Sequence, residues 1–305
     1  MTAVVNNSPD LASRMINRIL AIKPLSNIAK HQARQMMINR AQTLGIDWNQ
    51  QVKDLSARNW SEDFQRIRNP QLTYPDYYLT SFHAYDDGNL NWQAAFEQEP
   101  AAYTVHAKIW HDTGAKGDPK LRQTYHDILT TKISTAPRKI LDVGCGVGLS
   151  TFALQKIYPQ AEITGLDLSP HFLSVAQYNS RKRHQSINWV HGAAESTGFT
   201  PGTFDLASIF LLCHELPQSA TRQILAEMRR IVRPGGYLGI MDMNPGSEIY
   251  KKMPTYVKTL LKSTEPYLDE YFSLDIEQAI INAGFKVLII APNSPRHRTI
   301  VAEAV

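Results

Sequence analysis

Cysteine is scarce in this sequence, and its scarcity excludes two kinds of site. The 305 residues contain two cysteines, Cys145 and Cys213. Neither has a second cysteine or a histidine at metal-ligand spacing, so the sequence predicts no zinc site. Two isolated cysteines also make no disulfide framework, which favours a reducing compartment.

Long apolar runs and a strong net charge are lacking as well. No stretch approaches the 18 apolar residues of a membrane span, and the N-terminus lacks the apolar centre of a signal peptide. The 32 basic and 28 acidic residues leave a net charge of +4, which is too small to indicate nucleic-acid binding. We therefore expect a cytoplasmic protein with no integral membrane segment and no nucleic-acid partner.

The chain changes character near residue 135. Residues 1–135 are rich in Gln, Asn, Arg and Trp, and their apolar residues recur at helical spacing, as at Met37 and Ala41. Within them, residues 70–92 mix aromatic side chains with Pro, Asp, Gly and Asn, which is typical of an ordered loop or a lid. We predict an N-terminal helical region with an aromatic loop that forms a substrate lid, followed by a second domain over residues 136–305.

Short apolar segments alternate with helical ones in this second part. The predicted strands are Lys139–Val143, Glu162–Leu166, Asn188–His191, Leu206–Leu211, Tyr237–Met241, Lys286–Ile290 and Thr299–Ala304. The predicted helices include Ser150–Ile157, Pro170–Arg181, Ser219–Val232 and Asp275–Ala283, and a turn is predicted at Arg233–Gly236. This alternation predicts a mostly parallel sheet with helices on both faces.

The strongest motif is the segment Ile140–Gly148, ILDVGCGVG. A buried strand enters a turn of very small residues, and the helix that follows offers unpaired N–H groups. Such a turn lets the backbone approach a ligand, although it also occurs as a tight β-to-α turn with nothing bound. Asp167 ends the next strand, 23 residues after Gly144, where a carboxylate can accept hydrogen bonds from ribose hydroxyls. Taken alone, Asp167 also suits an N-cap of the helix near Pro170.

The glycine pattern and one acidic residue distinguish between cofactors. A dinucleotide site usually carries GxGxxG before a pyrophosphate, whereas the glycines here run GxGxG and follow Asp142. A carboxylate near the turn repels a pyrophosphate but suits a ligand with an ammonium and a sulfonium. The sequence therefore favours S-adenosylmethionine (SAM) over NAD.

The part from about residue 138 to the end resembles the class I SAM-dependent methyltransferase superfamily. It is particularly similar to the branch with ubiquinone/menaquinone-biosynthesis and small-molecule methyltransferases. The matching segments, in order, are LDVGCGVG, GLDLS, WVHGAAESTGF, FDLASIFLLCHELP and RRIVRPGGYLGIMD. The resemblance implies a Rossmann-like, doubly wound, mostly parallel seven-stranded α/β sheet with an N-terminal helical extension and lid. It also implies a methyl transfer that leaves S-adenosylhomocysteine.

The resemblance also assigns cofactor contacts. Leu168 packs on the adenine, the Ala194 backbone meets its edge, and Phe210 lies near the methionine part. Ala193 stands where the family often has an aspartate that bonds the adenine amino group, so Glu195 or water takes that contact. The full set of expected cofactor residues is Asp142, Gly144, Cys145, Gly146, Asp167, Leu168, Ala193, Ala194, Glu195, Phe210 and Tyr103.

The acceptor side follows the fourth predicted strand. His214 and Glu215 lie where this fold usually presents groups to the transferring methyl, and a neutral histidine can take a proton from a hydroxyl or amine. His214 equally suits a purely structural place in the wall of the site. The expected substrate-binding residues are Tyr77, Tyr78, His83, Tyr85 and His106, which supply aromatic and hydrogen-bonding surface.

These residues predict methyl transfer to an oxygen or nitrogen of a small, partly apolar metabolite. Carbon methylation of a quinone-like ring, a SAM-binding protein without transfer, and a macromolecular acceptor remain alternatives. The first forty residues carry six Lys or Arg and one acid, which suits either peripheral contact with anionic lipid or a solvated or dimeric face. We expect a monomer or a homodimer and no bound metal.

Overall fold

The computed structural model of this chain describes residues 23–81 and 85–305, with side chains from residue 31 onward. His83, Arg14 and Arg18 lie outside the described residues, as do the side chains of Lys23 and Lys30. Across the described ranges, no helix combines the length and the apolar character needed to cross a bilayer.

Seven strands form one sheet, as the sequence predicts. They are β1 (Lys139–Val143), β2 (Glu162–Asp167), β3 (Asn188–His191), β4 (Phe204–Phe210), β5 (Val232–Met243), β6 (Phe285–Pro292) and β7 (His297–Ala304). Their order is β3-β2-β1-β4-β5-β7-β6, and only β7 pairs antiparallel to its two neighbours. The predicted α/β, mostly parallel fold is confirmed.

Twelve α-helices occur in the described ranges. They are α1 (Lys23–Thr43), α2 (Trp48–Ser56), α3 (Ser61–Ile67), α4 (Trp92–His106), α5 (Gly117–Lys132), α6 (Leu149–Ile157), α7 (Pro170–Lys182), α8 (Gln218–Ile231), α9 (Glu248–Lys251), α10 (Thr255–Thr264), α11 (Leu268–Ser273) and α12 (Ile276–Asn282). Short 3-10 helices occur at Asp76–Leu79, Gly114–Lys116 and Cys213–Glu215.

Apolar side chains cover both faces of the sheet. On one face, Leu225 and Met228 of α8 pack with Leu238 of β5, and all three are fully buried. On the other face, Leu121 and Leu129 of α5 pack with the strands. Near-continuous apolar strands with helices on both sides are what a parallel sheet requires.

The close packing of α5 on β5 leaves no room for a side chain at Gly239. A Cβ there would lie 2.5 Å from the Tyr125 hydroxyl and 2.7 Å from Leu129. Because that hydroxyl is also held 2.9 Å from the Ser208 hydroxyl, it cannot move without breaking a buried hydrogen bond. We expect Gly239→Ala to lower the free energy of unfolding by about 1–3 kcal/mol, measured by urea denaturation.

The matched control for this prediction is Gly246→Ala. Gly246 is exposed, and its added Cβ would meet only the Asn244 side chain, at 3.3 Å. This variant should unfold at nearly the same urea concentration as the original protein. Equal midpoints for the two alanine variants would contradict the packing argument.

The N-terminal helices pack onto the same body as the sheet. Trp60, Phe96 of α4 and Phe172 of α7 share one apolar cluster with Val147 of the glycine-rich turn. Helix α5 precedes residue 136 in the chain, yet it covers one face of the sheet. The division into domains at residues 135 and 136 stays a prediction.

Two features differ from the sequence expectation. Arg233–Gly236, predicted as a turn, lies inside β5, where Gly235 adopts a φ of 70° and the register with β4 shifts. Helices α9 to α11, between β5 and α12, were not predicted. The ten-residue helix α10 has no buried residue.

Candidate cofactor and acceptor site

The glycine-rich turn after β1 folds back onto the end of β2. The N–H groups of Gly144 and Cys145 donate to the Leu166 carbonyl at 2.8 and 3.1 Å. Gly146 N–H donates to Asp167 Oδ2 at 2.8 Å. Parallel pairing of β1 with β2 brings these ends together, because both strands finish at the same edge of the sheet. Three N–H groups of the turn therefore fix its position against the end of β2.

Asp167 lies buried at the centre of this edge. Its Oδ1 accepts from Ser169 N–H at 2.7 Å, while the Ser169 side chain caps α7. Asp167 is therefore not the helix cap that it resembles in sequence. Each carboxylate oxygen retains a second lone pair, so the group can also accept from a ligand. Burial raises the pKa of Asp167 to about 6, although both backbone hydrogen bonds oppose the rise.

Asp142 occupies a different environment from the one expected. It is fully buried on β1, and its Oδ2 accepts from the hydroxyls of Ser150 and Thr151 at 2.7 and 2.6 Å. Burial raises its pKa to about 6, against those two hydrogen bonds. The side chain ties the turn to α6 and does not line the cavity described below. Its direct contact with a cofactor stays a prediction.

Gln98 and His191 join the N-terminal segments to this edge, and neither was predicted. Gln98 Oε1 accepts from Val147 N–H at 2.6 Å. His191 Nδ1 accepts from Asn69 N–H at 2.8 Å, so its proton resides on Nε2, which donates to the Leu168 carbonyl at 3.0 Å. Burial lowers the pKa of His191, which keeps the ring neutral. Both links join residues more than 40 positions apart in the sequence, so no local pattern predicts them.

The aromatic loop covers the cofactor edge through specific contacts. The Tyr77 hydroxyl donates to Glu195 Oε1 at 2.5 Å. The Ser169 hydroxyl donates to the Asn89 carbonyl at 2.8 Å. The Tyr85 hydroxyl donates to Glu97 Oε2 at 2.6 Å, so this tyrosine presents its ring, with its hydroxyl already engaged. The buried Glu97 also accepts from Arg34 at 3.0 Å.

His106 belongs to a second buried polar group. Its Nδ1 lies 2.7 Å from Asp118 Oδ1, and Arg122 Nε donates to Asp118 Oδ2 at 2.9 Å. Burial opposes ionisation, but Arg122 and His106 hold the pKa of the Asp118 carboxyl well below its usual range. Arg122 in turn lies over the Phe210 ring, 4.4 Å from its centroid.

His214 forms a buried pair with Asp242 at the ends of β4 and β5. His214 Nδ1 lies 2.7 Å from Asp242 Oδ1. The carboxylate also accepts from Met243 N–H at 2.7 Å, which fixes its orientation. Burial lowers the pKa of His214, but the charge of Asp242 and its hydrogen bond outweigh burial and raise the pKa to about 10. Asp242 was not predicted, because 28 residues separate it from His214.

The charge of Asp242 favours the protonated form of His214, so the neutral imidazole that proton acceptance needs must first lose a proton. The role of His214 as a catalytic group stays a prediction. Cys213 is buried, and burial raises the pKa of its thiol well above the ordinary value, which agrees with a packed residue and not a nucleophile.

One continuous cavity of about 1320 Å³ joins these groups. It exceeds the roughly 300–1,000 Å³ of a typical small-molecule site, so it has room for a cofactor and a second ligand. Of the predicted residues, its lining includes Gly144, Cys145, Asp167, Leu168, Ala194, Glu195, Phe210, His214, Glu215, Tyr77, Tyr78, Tyr85 and His106. Asp142, Gly146, Ala193 and Tyr103 do not line it.

An apolar wall completes the cavity on the His214 side. It is formed by Leu212, Met243, Tyr250, Met253, Val257 and Leu261. Four of these residues lie in the α9–α10 segment or directly beside it, which the sequence analysis did not place at the site. The cavity therefore has a polar cofactor end and a mainly apolar end that carries His214.

Comparison with known proteins identifies the cofactor end. Residues 140–236 match the family model described as "Methyltransferase domain". This part of the chain is a class I SAM-dependent methyltransferase domain. It contains the glycine-rich turn, Asp167 and His214, and SAM is its cofactor. The resemblance drawn from the sequence motifs is confirmed.

Named relatives of the methyltransferase domain act on different acceptors. The phthiotriol/phenolphthiotriol dimycocerosates methyltransferase of Mycobacterium leprae is 33% identical over 121 residues, which are 39% of this chain and 43% of that protein. The demethylmenaquinone methyltransferase of Staphylococcus aureus is 31% identical over 140 residues, 42% of this chain and 57% of that protein. The chain thus spans about half the length of these relatives.

A solved structure supports the fold. The phosphoethanolamine N-methyltransferase 2 of Haemonchus contortus, in complex with SAM, superposes with a TM-score of 0.51 at 15% identity. The match covers 70% of this chain and 57% of that protein. At this identity the likeness concerns the fold alone.

Proposed function

We propose that this protein transfers the methyl group of SAM to an oxygen or nitrogen of a small, partly apolar metabolite. The observation that carries the proposal is the single cavity that runs from the carboxylate of Asp167 to the ring of His214. Methyl transfer needs both ligands in one water-poor space, since alignment of the reacting atoms supplies much of the rate.

The cofactor end fits SAM in its chemistry. Asp167 retains acceptor capacity for ribose hydroxyls, and the glycine-rich turn keeps side chains away from the ligand. Glu195 Oε2 is buried and has no hydrogen-bond partner within the described ranges, so it offers an acceptor for the adenine amino group. This contact replaces the one that Ala193 cannot make. When bound, SAM supplies a methyl group already activated by its sulfonium.

The acceptor end suits a molecule with an apolar body and one reactive polar group. Leu212, Met243 and Leu261 contact the body, and His214 faces the polar group. Asp242 holds the proton on Nδ1 of His214, which leaves Nε2 toward the acceptor. After His214 loses its second proton, Nε2 can take the acceptor proton while the acceptor atom gains the methyl group.

Carbon methylation of a quinone-like ring is the second candidate. The similarity to the demethylmenaquinone methyltransferase favours it. The same His214–Asp242 pair can remove the ring hydroxyl proton that directs electrons to carbon. Mass spectrometry and NMR of the product distinguish the two candidates, because methoxy, N-methyl and ring-methyl groups have different proton shifts.

The test combines binding with turnover. We expect calorimetry to show binding of SAM and of S-adenosylhomocysteine, and a panel of phenols, amines and hydroquinones to yield S-adenosylhomocysteine with at least one member. Absence of binding by either cofactor form at millimolar concentration would refute the proposal. Binding without turnover across the panel would favour a SAM-binding protein that performs no transfer.

A further inference from the structure

Two arginines beside the acceptor end carry charges that the structure does not neutralise. Arg296 directly precedes β7 and lines the cavity. Arg40 lies on α1 behind the cavity lining; the residue is half-buried, and its Nε and Nη2 are withdrawn from water. Within residues 23–81 and 85–305, neither guanidinium takes part in an ion pair or a side-chain hydrogen bond. A guanidinium withdrawn from water without a partner is costly, so its retention calls for an explanation.

The two guanidinium groups are near enough for their charges to interact. Burial lowers the pKa of Arg40, and the like charge of Arg296 lowers it further. Two other arginines that line the cavity differ, because Arg34 pairs with Glu97 and Arg122 with Asp118. Two neighbouring cations without a carboxylate repel each other until an anion lies between them.

An indole N–H adds a third donor in the same region. Trp48 is 4% exposed and lines the cavity, and its Nε1 has no hydrogen-bond partner among the residues that the structure describes. Trp48 packs on Ala41, the neighbour of Arg40 in α1. Buried indole N–H groups normally find an acceptor. Trp48 therefore lacks a hydrogen-bond acceptor, and the two arginines lack one as well.

The position of Arg296 connects these donors to the acceptor end. Its carbonyl accepts from Asn244 N–H at 2.8 Å, which fixes it at the end of β5, two residues beyond Asp242. The next residue, His297, also lines the cavity, and the charge of His214 contributes, after burial, to lowering its pKa. An anion held by Arg296 therefore shares the chamber in which the acceptor lies.

We propose that Arg40, Arg296 and Trp48 form a subsite for an anionic group, a carboxylate or a phosphate, carried by the methyl acceptor. Guanidinium groups present paired N–H donors that match the oxygens of both anions. The assignment of this group to the acceptor rests on the proposed methyl transfer. The anion site itself does not, since its donors lie outside the contacts assigned to SAM.

The first experiment measures anion binding without SAM or turnover. Thermal unfolding is followed in sodium phosphate and in sodium succinate, each against sodium chloride of the same ionic strength. Anion binding should raise the melting temperature by about 2–4 °C in the better of the two salts, and the better salt tells phosphate from carboxylate. Arg296→Gln and Arg40→Gln should lose most of this rise, and Trp48→Phe part of it.

The two glutamine variants have a second, opposite signature. In chloride alone they should melt at a higher temperature than the original protein, because each removes the repulsion between the two guanidinium groups. Arg222→Gln is the matched control, since Arg222 is exposed on α8, and it should change neither quantity. An undiminished anion response in both Arg40→Gln and Arg296→Gln would overturn the subsite.

The second experiment asks which ligand carries the anion. Calorimetry of Arg296→Gln should give the same SAM affinity as the original protein. With an acceptor in hand, the variant should raise KM at least tenfold and leave kcat nearly unchanged, because the contact binds ground and transition states alike. A tenfold loss of SAM affinity would instead assign the arginines to the cofactor carboxylate and overturn the acceptor part of the proposal.

Discussion

Replacing Asp167 by alanine should weaken SAM binding at least tenfold. The variant loses an acceptor for two ribose hydroxyls and also frees the N–H of Gly146, which Asp167 Oδ2 holds at 2.8 Å. Hydrogen bonds to a charged group contribute about 1.5–3 kcal/mol each, so the loss of even one corresponds to a tenfold or greater change in affinity. Calorimetry with SAM and with S-adenosylhomocysteine measures the effect.

The variant Asp167→Asn tests the same contact with less disturbance. The amide keeps the shape of the side chain but directs an N–H₂ at the N–H of either Gly146 or Ser169. Asp127→Asn is the control, because Asp127 is exposed on α5 and its carboxylate accepts only from Gln123 among the described residues. An unchanged SAM affinity in Asp167→Asn, with the fold intact by circular dichroism, would refute the ribose role.

The pH dependence of SAM binding gives an independent check. The pKa of Asp167 is raised to about 6, so the carboxylate becomes protonated as the pH falls through that value. Ribose hydroxyls donate better to the carboxylate than to the acid, and binding therefore weakens below about pH 6. The alanine variant should lack most of this pH dependence, apart from the share contributed by Asp142, whose pKa lies in the same range.

Replacing Asp242 by asparagine should shift the pH profile of methyl transfer by several pH units. Asp242 raises the pKa of His214 to about 10 against the effect of burial. In the variant, burial lowers the pKa of His214 against only the charges of Glu265 and Glu215, so the pKa falls below that of the original protein. Because the proposed role needs neutral His214, the rise of kcat/KM with pH should move from about pH 10 to lower pH. Steady-state kinetics at several pH values, or NMR of the His214 ring, measures it.

Stability provides the matching physical signature. The folded-state pKa of His214 lies above its unfolded value, so its stabilising contribution is complete below about pH 6.5 and is lost as the pH rises through about 10. The urea midpoint should therefore fall over this range by more in the original protein than in Asp242→Asn.

The control for Asp242 is an exposed pair of the same type. Asp112 lies 3.2 Å from His111, and both side chains are fully exposed, so Asp112→Asn should change neither the kinetics nor the stability. A rate that falls above pH 10 in the original protein would contradict proton acceptance by His214. That result would indicate that the charged imidazolium of His214 is the form needed for methyl transfer.

The sheet and the cofactor end could be predicted from sequence because their signals are local. Each strand is a short apolar run. The predicted first and last residues of the seven strands lie within about two residues of the observed ones, except at the start of β5. The turn at Gly144 and the carboxylate of Asp167 follow consecutive strands. Parallel pairing then brings them to one edge without further information.

The acceptor end could not be predicted to the same depth because its determinants are contacts between distant residues. The pairing of Asp242 with His214 depends on the register of β4 with β5, and the tautomer of His191 depends on a backbone N–H from Asn69. Helix α10 contributes Val257 and Leu261 although none of its residues is buried. Composition and periodicity carry no signal for the two long-range pairings.

The cavity wall formed by α9 and α10 has a consequence for how this protein changes over evolution. The segment contributes Tyr250, Met253, Val257 and Leu261 to the cavity lining and makes none of the hydrogen bonds given above for the glycine-rich turn. Substitutions in it alter the space beside His214 but leave the cofactor turn untouched. Acceptor choice can therefore diversify among descendants of this chain while the donor chemistry stays constant.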